Sequence, residues 1–111
     1  MAIVAAQKEH NIGIPVDKEA IAAICRKNGI KELSLFGSVL RVDFIPGKSD
    51  IDVLVEFAPG EQPSFLDLAG ILGELADLLG HKVDLVQKHT LRPYLSDEIL
   101  SARRVIYDAT Q

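Results

Sequence analysis

The segment "SDIDVLVEF", Ser49 to Phe57, constrains the fold more than any other stretch of the chain. From Asp50 onward apolar and polar positions alternate. Ile51, Val53, Val55 and Phe57 fall on one face, and Asp50, Asp52, Leu54 and Glu56 on the other. That is the pattern of a strand with one face against a core. Its first residues are two carboxylates one residue apart, although Asp is among the residues least suited to strands. Period two places both on the same face at the end where the chain enters the sheet, and like charges that close repel. The pair makes chemical sense if a cation binds there.

The remaining segments supply elements to build around that strand. Asp17 is a good helix N-cap, Ile21, Ile24 and Cys25 recur at helical spacing, and Asn28-Gly29 supplies a stop. "IKELSLF" reads as a short strand with Leu33 and Leu35 on one face, ended by Gly37-Ser38. A helical turn is expected through "VLRV", and "FIPGKS" is loop because Pro46-Gly47 punctuates it. "SFLDLAGILGELADLLG" is an amphipathic helix with Ser64 as N-cap, Asp67 completing a capping box and Gly80 as its stop. Phe65, Leu68, Ala69, Leu72, Leu75, Ala76 and Leu79 are its expected buried stripe. "HKVDLVQ" is a third strand, with Val83 and Leu85 on one face and Asp84 on the other. Thr90 caps a last helix that tolerates Pro93 in its first turn and continues its apolar face through Tyr94, Leu95 and Ile99. A short apolar tail, "RRVIYDA", follows and is expected to be exposed, as a surface for self-association or partner docking. Helices alternating with short strands over one core give an α/β (α+β) sandwich with a small mixed sheet of three to four strands.

At 111 residues the chain is one domain, with residues 1–16 an arm of no clear period. Its 48% hydrophobic and 25% charged content is ordinary for a globular protein. A formal charge of −4 argues against broad attraction to nucleic acid or an anionic membrane, so phosphate chemistry here needs a bridging cation. "MAIVAA" is too short for a signal-peptide core, no apolar run reaches the roughly 18 to 20 residues of a membrane span, and a cytoplasmic location is expected. The single cysteine, Cys25, reads as a packed core thiol in a reducing compartment.

Three further positions extend the argument from the aspartate pair. Asp84 is an acid in an otherwise apolar strand, and pairing that strand beside Asp50 and Asp52 would bring a third carboxylate to the same face. Three oxygen donors from two strands suit a hard cation such as Mg²⁺, which keeps waters and takes substrate phosphates as further ligands. Two such ions about 3.5 to 4 Å apart would clamp the attacking and leaving oxygens of a displacement at phosphorus. Gly37 allows close backbone approach at a strand end. The amides of Ser38 and Val39 and the Ser38 hydroxyl can hold phosphate oxygens. Phosphate on amides and metal on carboxylates together describe a nucleoside triphosphate site.

Taken in order, "LFGSVLRVDFIPGKSDIDVLVEF" followed by "HKVDLV" resembles the minimal nucleotidyltransferase domains of the DNA polymerase beta-like superfamily, which occur as antitoxin partners of HEPN proteins. The resemblance covers about residues 17 to 107, and GS…DxD…D is its specific part. It implies Mg²⁺, two ions, held by Asp50, Asp52 and Asp84 as the catalytic carboxylates, with ATP phosphates at Gly37 and Ser38. The implied reaction is transfer of a nucleoside monophosphate, usually AMP, from a nucleoside triphosphate to a hydroxyl with release of pyrophosphate, and the implied acceptor is often a tyrosine of a HEPN toxin. Where the family usually shows "GSxARG", this chain has "GSVLRV"; Arg41 keeps the basic position and is retained as a phosphate contact. The span from Ser38 to Asp50 is also one residue longer, which points to an insertion near Gly47 or Lys48, cheap in a loop.

Other charged positions read more plainly. His10, His81 and His89 are too scattered for a zinc site and are expected at the surface or at caps. Glu56, though on the aspartates' face, is expected as a rim charge, and Arg103-Arg104 as a partner contact or a cationic helix end. Tyr94 and Tyr107 are expected in the core or an interface. Two functional readings follow: an active nucleotidyltransferase whose metals activate the acceptor, or a binding module that silences its partner by contact alone. The intact carboxylates favour the first. A homo-oligomer is compatible with both.

Overall fold

The computed structural model describes residues 15–37, 50–91 and 93–110. Along these the order is helix α1 (Lys18–Lys27), strand β1 (Ile30–Phe36), strand β2 (Ile51–Phe57), helix α2 (Phe65–Leu79), strand β3 (Val83–Gln87), a 3-10 turn (Lys88–Thr90), helix α3 (Pro93–Ala102) and strand β4 (Arg104–Asp108). The strands form one mixed four-stranded sheet in the order β3-β2-β1-β4. β1 runs antiparallel to both β2 and β4, while β2 and β3, joined through α2, are parallel. The N-terminal arm to residue 14, the expected turn through "VLRV" and the "FIPGKS" loop lie outside the described residues.

Local chemistry sets the helix ends. The Asp17 carboxylate accepts the Ala20 backbone N–H at 3.1 Å, satisfying one of the donors that a helix start leaves unpaired. At α2 the capping box forms: Asp67 N–H donates to Ser64 Oγ at 3.1 Å, and Ser64 N–H donates to Asp67 Oδ2 at 2.8 Å. Gly80 then stops the helix in the left-handed region, with φ 69°, its N–H donating to the Ala76 carbonyl.

One face of the sheet carries the core. Leu33 and Leu35 of β1, Ile51, Val53 and Val55 of β2, Val83 of β3 and Ile106 of β4 pack with Ile21 and Cys25 of α1 and Ile71, Leu75 and Leu79 of α2. Cys25 is fully buried, as expected for a core thiol, and burial pushes its pKa up to about 12, against a smaller opposing pull from Arg26. Lys27 of α1 ion-pairs with Glu74 of α2, and Asn28 Nδ2 donates to Glu74 Oε1 at 3.3 Å, which ties the two helices together.

Three expectations need correction. The buried stripe of α2 is Ile71, Leu75 and Leu79; Phe65 is 83% exposed, Ala69 is exposed, and Leu72 is 37% exposed. Apart from three acidic residues and two glycines the helix is apolar all round, so its periodicity does not select a face. Thr90 does not cap the last helix: it ends the 3-10 turn, where its hydroxyl donates to the Gln87 carbonyl at 2.7 Å, and α3 begins at Pro93. The C-terminal segment is no exposed tail. It is the edge strand β4, with Ile106 buried and Tyr107 packed against the core. Among the described residues no helix is long and apolar enough to cross a membrane.

Candidate functional site

Directly paired residues of neighbouring strands present their side chains to the same face of a sheet. The register pairs Phe36 with Asp52 and Asp52 with Asp84, so these three form a row across β1, β2 and β3 on the face away from α1 and α2. Asp50 stands one residue before β2, at the end pinned to β3 by the Ile51 N–H donating to the Lys82 carbonyl at 2.9 Å. Asp50 and Asp84 are exposed and Asp52 is half-buried. The parallel pairing thus brings the acid of the third strand beside the acidic pair.

Gly37 closes the row at its β1 end. It takes φ +75°, in the left-handed region that side chains disfavour. A Cβ on this residue would overlap Asp52 Oδ2 and lie 3.2 Å from its Cγ. The bare α-carbon is therefore the wall against which the Asp52 carboxylate sits. The structure gives Gly37 a role that its sequence context did not show: room for Asp52. Ser38 and Arg41, the other expected phosphate contacts, lie outside the described residues, as do Lys48 and His10.

Whether these residues fit divalent metal can be judged from their chemistry and register. Asp52 and Asp84 are neighbours on one face, Asp50 is next to them at the strand entrance, and all are hard oxygen donors. Among the described residues no three such side chains converge into a ready cage. The neighbouring carboxylates of Asp52 and Asp84 suit an ion such as Mg²⁺, which binds through one or two carboxylates plus waters and substrate phosphates.

Four residues along β2 from Asp52, about 13 Å at the rise of a strand, a second polar row crosses the same face. Arg103 Nη2 reaches Glu32 at 3.3 Å; Lys88 Nζ lies 3.6 Å from Glu32 and 3.1 Å from Glu56; Lys31 Nζ lies 3.7 Å from Glu56. Glu56 is thus a paired rim charge, as expected, and Arg103 is tied to β1. Sequence reasoning missed this ladder and missed Phe36 in the aspartate row. Parity held the signal for the first, since Glu56 lies four residues after Asp52 and Lys88 four after Asp84. Beyond the ladder a cavity of about 720 Å³ opens between Glu56, Lys88, Glu61 and Pro63, at the end of β2 away from Asp50. Of the histidines, His81 contacts the Leu79 carbonyl at 2.9 Å and His89 is exposed.

Comparison with known proteins gives the family and the fold. The nucleotidyltransferase domain family matches residues 17–106. A chain of Thermococcus cleftensis named as the protein adenylyltransferase MntA is 38% identical over 79 residues, covering 71% of this chain and 75% of the relative. The solved structure of a minimal nucleotidyltransferase superposes with a TM-score of 0.66 at 34% identity, covering 78% of this chain and 86% of its own. The fold is also shared, at TM-score 0.59 and 22% identity, with a chain from the complex of a tri-AMPylated Shewanella oneidensis HEPN toxin and its MNT antitoxin; the match covers 85% of this chain and 71% of that one.

Proposed function

As a member of the nucleotidyltransferase domain family, this chain has, we propose, the activity of a Mg²⁺-dependent protein adenylyltransferase that moves AMP from ATP to a tyrosine hydroxyl of a HEPN toxin partner and so acts as its antitoxin. The observation that carries this reading is the row of Asp52 and Asp84 on one face, with Asp50 beside it and Gly37 against the Asp52 carboxylate. In this reading Asp50, Asp52 and Asp84 hold two Mg²⁺ ions, and those ions, when bound, neutralise the triphosphate and polarise the reacting oxygens. The Ser38 amide and hydroxyl and Arg41 hold phosphate oxygens. The acceptor oxygen forms a bond to the α-phosphorus, the bond to the pyrophosphate oxygen breaks, and the hydroxyl proton is released. No side chain serves as nucleophile: catalysis comes from positioning and from charge held ready for the transition state.

The relatives support this choice of group and acceptor. One relative is named as a protein adenylyltransferase, and a chain of the same fold is described in complex with an AMPylated HEPN toxin. The test is incubation of the chain with α-labelled ATP, Mg²⁺ and its cognate HEPN protein. Label is expected on a partner tyrosine, and Asp52→Asn removes it. If label never appears while the two proteins co-purify and toxicity is suppressed, the chain is an antitoxin that acts by binding alone.

A further inference from the structure

Phe65 and Leu66 open helix α2 at 83% and 79% exposure, which is unusual for large apolar side chains side by side. Phe65, Leu68, Ala69 and Leu72 recur at the spacing of a single helical stripe. Between that stripe and Leu85 and Val86 of β3 runs an open, mostly apolar groove of about 470 Å³. β3 is an edge strand of the sheet, so the groove lies on a flank of the molecule.

Two observations define what fits it. The first is charge. Helix α2 carries Asp67, Glu74 and Asp77 and no Lys or Arg. Asp67 lies on the far side of the helix from the stripe, in the capping box, and Glu74 is matched by Lys27, whereas Asp77 and the neighbouring Asp84 are exposed. Lys88, the cation nearest the groove along β3, is already held between Glu32 and Glu56. A second copy of the chain would bring the same acids against these; a partner with basic flanks would match them.

The second observation is continuity with the aspartate row. Leu85 follows Asp84 directly, and Val86, opposite Leu54, shares the face of Asp84 about 6.6 Å further along the strand. Whatever occupies the groove therefore lies beside the third carboxylate. The lining is mostly apolar, which suits apolar knobs of a helix laid in a groove.

We infer that the groove between α2 and β3 seats the acceptor protein, through an amphipathic helix of that partner whose apolar stripe is flanked by Lys and Arg. The inference rests on the proposed transfer to a protein acceptor and assigns the surface that delivers it. Phe65→Glu and Leu72→Glu, each in the full chain, are assayed against the purified cognate HEPN protein for binding and, separately, for transfer of labelled AMP. Binding is expected to weaken by about tenfold or more, with KM for the partner raised, kcat at saturation kept and the unfolding midpoint unchanged. Asp77→Lys weakens binding in the same direction, and added salt weakens the wild-type complex. Two charge variants that fold and bind as the wild type does would overturn the inference. So would a wild-type dimer that Phe65→Glu disperses, since the occupant would then be a second copy. A wild-type chain that binds through the groove and never transfers AMP leaves the docking surface standing and removes the proposed reaction.

Discussion

Gly37 and Asp52 fit together as a socket and its filling: the Asp52 carboxylate occupies the space that a side chain on Gly37 would take. Two constraints coincide at this glycine, a φ of +75° and the lack of room, and both act on the residue at the centre of the aspartate row.

Gly37→Ala should therefore damage stability and activity together. The left-handed backbone costs a residue with a Cβ about 1–2 kcal/mol, and the displaced Asp52 carboxylate leaves the row. Thermal unfolding and AMP transfer measured on one preparation check it; an alanine variant with wild-type midpoint and rate would refute the socket.

Asp52→Asn should separate the two effects. The amide is nearly isosteric and half-exposed at the row, so the fold is expected to persist. Transfer should fall by roughly a hundredfold or more, because the charge that holds cations opposite the phosphates is lost. Circular dichroism together with the label-transfer rate distinguishes this from unfolding.

The exposed and buried stripes of α2 predict opposite costs. Leu75→Ala, at a fully buried position, should cost about 2–5 kcal/mol, while Phe65→Ala, 83% exposed, should stay within about 0.5 kcal/mol. Urea denaturation of the two variants decides between the faces, and a reversed order would mean that the helix is rotated.

Cys25 should make stability fall in alkali. Its folded pKa of about 12 lies above the ordinary thiol value of 9.0, so the unfolded chain loses the proton first. The contribution is whole below about pH 9 and is lost as pH rises toward about 12. Cys25→Ser or Cys25→Ala should flatten that part of a stability-against-pH curve. Native protein at pH 8 should also resist thiol reagents that label the denatured chain at once.

Arg103 and Glu32 are mostly buried, with side chains 18% and 15% exposed, so their pair is less screened than a surface contact. Arg103→Met should cost about 1.5–3 kcal/mol through the lost charged hydrogen bonds, moderated because Lys88 still faces Glu32. Chemical denaturation measures it; no change would show that Lys88 alone satisfies Glu32.

Much of the fold is legible in the chain because its signals are local. Alternation in "DIDVLVEF" and "HKVDLVQ" marks β2 and β3, and Asp17, Ser64 with Asp67, and Gly80 mark helix ends, since each acts on backbone groups within a turn of itself. Period two likewise predicts one face for Asp50 and Asp52 from their spacing alone; in the structure Asp50 stands one residue before β2. Other features need the assembled sheet. No local pattern says which side of an apolar helix meets the core; Ile71, Leu75 and Leu79 are chosen by the strands beneath them, leaving Phe65 and Leu72 outside. The role of "RRVIYDA" as β4 depends on β1 offering an edge to pair with. By itself, then, the sequence determined β1, β2 and β3, the helix ends at Asp17, Ser64 and Gly80, and the identity of the acids, because these follow from short-range periodicity and hydrogen bonding. Only tertiary structure decided that Asp84 stands beside Asp52 and that Gly37 yields its side-chain space to a carboxylate fifteen residues away, because register and close approach are set by pairing between distant segments.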